Sequence, residues 1–284
     1  MAEPQRKRGR PRSAPEAAGT IQALDRALDI LDLLAAHPGL TLSEVAERMD
    51  QSPSTVHRVL HTLAARGVAE SDPATQAWHI GPATFRLGSA FMRRSGIVER
   101  ARPILRALME HTGETANLGI LNGDAVLFVS QAETHETIRA FFPPGTRSAL
   151  HASGIGKALL AFGRPEILRE VLERAPLQRF TDNTLTTPEA LQADMSRIRH
   201  RGFAFDDEER TRGMRCIAAP VFDLTGEAVA GISVSGPTHR IGHEHVKTLG
   251  AAVAAAAGVA LGFVVLRVGS PRGAPLGCVV LCVG

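Results

Sequence analysis

SPSTVHRVLHTLAARG, residues 52–67, decides the fold of the first third of the chain. Val56, Val59, Leu60 and Leu63 recur at helical spacing, which predicts a helix with one apolar face. Ser52 can cap its start, Pro53 suits the first helical position, and Arg66-Gly67 closes it. Upstream, Thr41 followed by Glu44 is a capping box, and Leu42, Val45, Ala46 and Met49 give the apolar side of a short second helix. The joint between the two helices is only a few residues long, as a helix-turn-helix requires. Further out, Leu24, Leu28, Leu31 and Leu34, widened by Ala27 and Ile30, predict an amphipathic helix over 21–36 that His37-Pro38-Gly39 ends. Downstream, VAESDPATQAWHIG reads as two strands joined at Asp72-Pro73, a wing. Residues 21–81 are therefore predicted to be a winged helix-turn-helix.

With the apolar set pointing inward, Ser54, Thr55, His57, Arg58 and His61 face outward, and Ser52 stands at the helix start. Short hydroxyls and one arginine near a helix amino terminus suit base edges and phosphates in a major groove. The alternative is a solvated helix face in a protein-binding winged helix. Charge favours DNA. Lys+Arg 32 against Asp+Glu 29 gives +3 overall. Residues 1–20 hold five basic residues and two acids, also +3, so the rest of the chain is neutral. A basic arm on a neutral body points to a polyanion. In the arm, predicted to be disordered alone, Arg8-Gly9-Arg10-Pro11-Arg12 is similar to an AT-hook core. Arg8, Arg10 and Arg12 would then lie in a narrow minor groove, where negative potential is enhanced. A solubilising tail is the other reading of such a run.

Residues 82–102, with Phe85, Leu87, Ala90 and Phe91, predict a helical linker. From Pro103, helical segments alternate with apolar runs: LGILNGDAVLFVSQ, TIRAFFPPG, a helix from Ser153, a helix at 188–200, CIAAPVFD, AVAGISVSG, and a closing helix from His243. That order gives an α+β domain over 103–264. The tail 265–284, with Cys278 and Cys282, is assigned no function. At 44% hydrophobic and 21% charged residues the chain can bury a core, which excludes a disordered or fibrous protein. Three cysteines make no disulfide framework, and MAEPQRKRGRPR has no apolar core of a secretory leader, so a cytoplasmic protein is expected. Thr248–Leu266 carries no formal charge over a membrane-spanning length, but its Ala-Gly content predicts a buried terminal helix instead.

Four blocks in this order, STVHRVLHTL, LHASGIGKALLA at 150–161, FDDEERTRGMRCIAAPVFD at 205–223 and ISVSGP at 232–237, make the chain resemble the IclR-type bacterial transcriptional regulators over nearly its whole length. The resemblance implies a winged helix, a linker helix and a GAF-like effector domain. It also implies a homodimer or dimer of dimers on a pseudo-palindromic double-stranded DNA operator. It implies no catalysis, no cofactor and no membrane.

The effector region can be read from its residues too. Ser153-Gly154-Ile155-Gly156-Lys157 opens a helix whose first N–H groups are free to meet an anion. It is no nucleotide loop, because His151 stands where a glycine is needed. Ser233 and Ser235 alternate along a strand and share a side, and Arg215 points away from Cys216. The resemblance implies that Gly154 and Ile155 N–H groups hold a carboxylate while Asp206, Cys216, Ser233 and Ser235 close around the rest. Ala140 and Phe141, on a strand, would shape the mouth. Small polar walls without arginine suggest a short 2-oxoacid such as glyoxylate or pyruvate; the alternatives are an aromatic acid, or a GAF-type enzyme using Cys216. No base accompanies Cys216. His239, His243 and His245 surround a helix start and are not read as a metal site; His151 caps or packs.

Overall fold

The computed structural model describes residues 21–260, 263–268 and 277–282. The arm, with Arg8, Arg10 and Arg12, lies outside the described residues. The chain divides at Arg94/Ser95 into two compact units.

The first unit runs α1 (Gln22–Ala36), β1 (Leu40–Thr41), α2 (Leu42–Arg48), α3 (Pro53–Ala64), β2 (Ala69–Ser71), β3 (Ala77–Ile80) and α4 (Pro82–Ser95). The capping box forms as predicted: Thr41 N–H donates to Glu44 Oε2 at 2.8 Å, and Glu44 N–H donates to Thr41 Oγ1 at 3.4 Å. Ile30, Leu34, Val45, Val56, Leu60 and Trp78 make the core. Three short strands in the order β1-β3-β2 close it, and β2–β3 is the wing. The predicted stripe on α1 splits. Ile30 and Leu34 are buried, but Leu24 and Leu28 are more than half exposed.

The predicted single helical segment at 82–102 is two helices. Gly96 adopts φ 59°, a left-handed conformation that ends α4 and lets α5 (Ile97–Thr112) begin, with Pro103 inside it. The second unit continues with β4 (Thr115–Asn122), β5 (Ala125–Ala132), β6 (Arg147–Ala149), α6 (Gly154–Phe162), α7 (Pro165–Glu173), α8 (Pro188–Arg201), β7 (Ala204–Asp207), β8 (Met214–Phe222), β9 (Ala228–Pro237) and α9 (Val246–Val259). Six strands form one antiparallel sheet in the order β6-β5-β4-β9-β8-β7. Helices α5 and α9 cover one face and α6 the other. Alpha6 packs close because glycines clear its way: a Cβ at Gly231 would stand 2.7 Å from Ile155 Cγ2.

Two predicted elements differ. Residues 139–142 are not a strand; they belong to the segment between β5 and β6, where Phe142 stacks on Phe128 at 5.0 Å. The terminal helix stops at Val259. Residues Phe263–Val268, whose Val-Val-Leu run favours extended chain, instead form β10, paired with β11 (Gly277–Cys282) from Phe263↔Cys282 to Val268↔Gly277. Among the described residues no helix is long and apolar enough to cross a membrane.

Candidate functional site

On α3, Ser54, His57, Arg58 and His61 are exposed and Thr55 is half-buried. Ser52 is exposed too, but its hydroxyl is engaged as the cap, accepting from Thr55 N–H at 3.3 Å and lying 2.9 Å from Thr55 Oγ1. His57 and His61 rings lie 4.2 Å apart, and His61 meets Trp78 edge-on at 6.0 Å. His61 thus ties the helix to wing strand β3. The outward face carries one cation, Arg58, between hydroxyls and imidazoles.

The second unit brings most of the predicted effector residues together. Register places Asp206 opposite Cys216 and Cys216 opposite Ser235, while Ser233 stands opposite Ala218. Directly opposed residues of antiparallel strands project to one side, so these groups share the face under α6. Ser153 caps α6, accepting from Gly156 N–H at 3.3 Å, which leaves the first amides of the helix unpaired within it. Gly154 is required there: a Cβ would stand 2.7 Å from Cys216 Sγ and 3.2 Å from Ala218 Cβ. Ser233, Ser235 and Ile155 are almost wholly buried, and Asp206 is 8% exposed. Ala140 is buried but lies off the sheet, apart from the face that carries Asp206, Cys216, Ser233 and Ser235.

A buried charge cluster, which the sequence reading missed, adjoins this face. Lys157, one turn into α6, is wholly buried. Its Nζ donates to Phe205 O at 2.6 Å and Glu209 Oε1 at 2.5 Å, and lies 2.8 Å from Asp194 Oδ2. Burial alone would lower its pKa, but Glu209, Asp194 and Asp206 outweigh that and hold it raised. Glu209 N–H donates to Asp206 Oδ1 at 2.8 Å. Burial, opposed by Lys157, holds Asp206 up at about 6 and Glu209 at about 7. Burial first, and then the Asp206 charge, pushes the Cys216 thiol to about 11. That thiol is neutral at pH 7, so it is a weak hydrogen-bonding group and no nucleophile. The lysine was legible as the end of SGIGK, but its acidic partners Asp194 and Glu209 come from α8 and the turn after β7, which only the fold brings near.

Two of the histidines singled out in the sequence have partners away from this face. His151 Nε2 lies 2.9 Å from Gln178 O and stacks on Phe180. His243 bonds Arg215 at 2.7 Å on the far face, where Arg215 also pairs with Asp207. Among the described residues no three His, Cys, Asp or Glu side chains are placed to hold a metal.

A winged helix-turn-helix followed by an α+β domain with a buried polar cluster beneath a helix start defines a two-domain, ligand-responsive regulator of transcription. Residues 23–73 match the IclR helix-turn-helix domain, and residues 89–259 match the bacterial transcriptional regulator IclR C-terminal domain. The HTH-type transcriptional regulator BhcR of Paracoccus denitrificans is 70% identical over 257 residues, covering 89% of this chain and 92% of that one. The transcriptional repressor IclR of Escherichia coli is 38% identical over 244 residues, 85% of this chain and 89% of that one. An IclR homologue from Microbacterium hydrocarbonoxydans, solved with 4-hydroxybenzoate, superposes with TM-score 0.72 at 25% identity, covering 84% of this chain and 98% of that one. The chain belongs to the IclR family of bacterial transcriptional regulators and is not an enzyme.

Proposed function

We propose that this regulator reads a pseudo-palindromic operator in the cytoplasm with Ser54, Thr55, His57 and Arg58 of α3, aided by Arg8, Arg10 and Arg12. Its affinity for the operator then changes when a short 2-oxoacid, glyoxylate or pyruvate, occupies the cluster under α6. The observation that carries the effector reading is the shared face of Asp206, Cys216, Ser233 and Ser235 beneath the unpaired amides of Gly154 and Ile155. The effector carboxylate takes those amides, where the helix dipole favours an anion. The serine hydroxyls and the neutral thiol take the oxo oxygen. A face of small polar groups with Ile155 packed against it favours two or three carbons over a ring.

A homodimer is supported by apolar surface left open in the first unit. Ile21, Leu24 and Leu28 follow one side of α1, and Phe85, Leu87 and Phe91 on α4 are exposed, Phe85 at 81%. Such surface is normally covered by a partner, and a second copy matches the two-fold symmetry of a palindrome.

One observation favours a second reading: the 4-hydroxybenzoate in the Microbacterium homologue is an aromatic acid in the same fold. Calorimetric titration of the full chain with glyoxylate, pyruvate and 4-hydroxybenzoate decides between them. Tight binding of 4-hydroxybenzoate alone would overturn the small-oxoacid reading and leave the family assignment intact.

A further inference from the structure

The face under α6 holds more polar groups than the four already named. On β4, Thr115 stands opposite Ser235 and Asn117 opposite Ser233, and Gln131 on β5 stands opposite Asn117. Two rows of polar side chains therefore cross the sheet on one side: Asp206, Cys216, Ser235, Thr115, and then Ser233, Asn117, Gln131. Thr115 and Asn117 are both wholly buried. Polar groups at such depth need partners.

Asn117 has them, and they orient it. Its Oδ1 accepts from Gln131 Nε2 at 3.0 Å, which turns its Nδ2 toward the serines, 3.4 Å from each Oγ. Both serine oxygens thus act as acceptors toward Asn117. A serine that accepts on one side still has its own hydrogen to give; the Cys216 sulfur, a weak acceptor, is its neighbour in the protein, and a stronger acceptor brought by a ligand can take it. Thr115 is different. Its Oγ1 is buried and finds no hydrogen-bond partner among the described residues. Valine would fill the same space without an orphaned hydroxyl, so packing does not explain a threonine there. Neighbouring strands lie about 4.8 Å apart, so a molecule seated on Ser235 is within hydrogen-bond reach of Thr115.

We propose that β4 forms a wall of the effector site: Thr115 bonds the effector directly, and Asn117, held by Gln131, is a positioning residue that makes Ser233 and Ser235 donors. The inference rests on the effector site lying under α6, and it names the ligand chemistry more closely. A site presenting two serine hydroxyls, one threonine hydroxyl and two amide N–H groups suits a small molecule made of acceptors, a carboxylate joined to an oxo group or to its hydrate.

The test uses the full chain, glyoxylate titrated by calorimetry, and urea unfolding of each variant without ligand. Thr115→Val is expected to weaken glyoxylate at least tenfold while its unfolding midpoint holds or rises. Stability and binding then move in opposite directions, which a packing role would not produce. Thr115→Ser keeps the hydroxyl and is expected to bind within threefold of the parent. Asn117→Asp, a carboxylate that claims both serine hydrogens, is expected to lose binding at least tenfold beyond Asn117→Ala. If Thr115→Val binds like the parent while the Ser233→Ala/Ser235→Ala double variant does not bind, this inference fails and the site stands. If the double variant itself binds like the parent, the site under α6 is wrong and the inference falls with it. Loss of both stability and binding in Thr115→Val would also overturn it, making Thr115 a packing residue.

Discussion

Lys157 is a cation sealed from water with carboxyl groups of Asp194, Asp206 and Glu209 around it. Burial disfavours the charged carboxyls of Asp206 and Glu209, and Lys157, shared with Asp194, offsets this only in part, so these two acids keep their protons to higher pH than usual. Both Asp206 and Glu209 bind their protons more tightly folded than unfolded. Their contribution to stability is therefore full below about pH 4, the ordinary carboxylate range, and is lost as pH rises through about 6 and 7. An anion placed beside Asp206 raises its pKa further, so effector binding takes up protons. Glyoxylate affinity is expected to rise as pH falls from 8 to 6, by at most about tenfold per unit for one proton. Glu209→Gln should flatten both this rise and the pH dependence of the urea midpoint. Calorimetry in buffers of different ionisation enthalpy reads the protons directly, and pH-independent binding across that range would refute the linkage.

At the scale of elements, the two helix starts that matter are held by serine caps, Ser52 on α3 and Ser153 on α6. Their exposed and buried surroundings give them different work. For α3, Arg58→Ala is expected to weaken operator binding about tenfold or more in a gel shift, the loss of one good groove contact, while effector affinity stays unchanged. For α6, Gly154→Ala drives a methyl into Cys216. Overpacking of that kind typically costs about 1–3 kcal/mol, and the urea midpoint should fall accordingly with glyoxylate binding lost. Elements of this sort were legible. Alpha3 announces itself by cap, proline and apolar period within sixteen residues. Beta7 (Ala204–Asp207) was not, since four residues ending in two aspartates carry no strand pattern and gain their place only by pairing with β8. The predicted strand at 139–142 failed for the converse reason: an apolar run before Pro143-Pro144 found no neighbouring strand. Thr115 and Asn117 lie just ahead of the apolar run read from Leu118, and their meaning depends on register with Ser233 and Ser235, more than a hundred residues away.

Across the whole molecule, charge is divided unevenly. Residues 21–88 hold five basic and eight acidic side chains, a net negative segment. General attraction for a polyanion is therefore expected to lean on the five cations of residues 1–14. Deleting those residues should make the slope of log K against log salt shallower by up to about four, if all five meet phosphates. An unaltered slope would show that the arm is free in the complex. The division into two units was legible from the change of pattern after the wing, but its position was not. In a run read as one helix the weak point is Gly88, which α4 passes through unbroken, whereas the left-handed backbone of Gly96 shows that the helix stops there.

The contact between His61 and Trp78 has an optical consequence. The chain contains one tryptophan and no tyrosine, and that tryptophan sits in the wing, 8% exposed, against His61 of α3, the helix proposed to read the operator. All tryptophan emission from this protein therefore comes from its wing. Operator binding can be followed without a label, as a change in the intensity or wavelength of that single emitter. The effector site proposed for glyoxylate lies in the other unit, where there is no tryptophan. An emission change on adding glyoxylate to DNA-free protein is expected, and it would be a direct signal that occupancy of the sensor is transmitted to the wing; a flat titration at saturating glyoxylate would place that transmission only in the DNA-bound state.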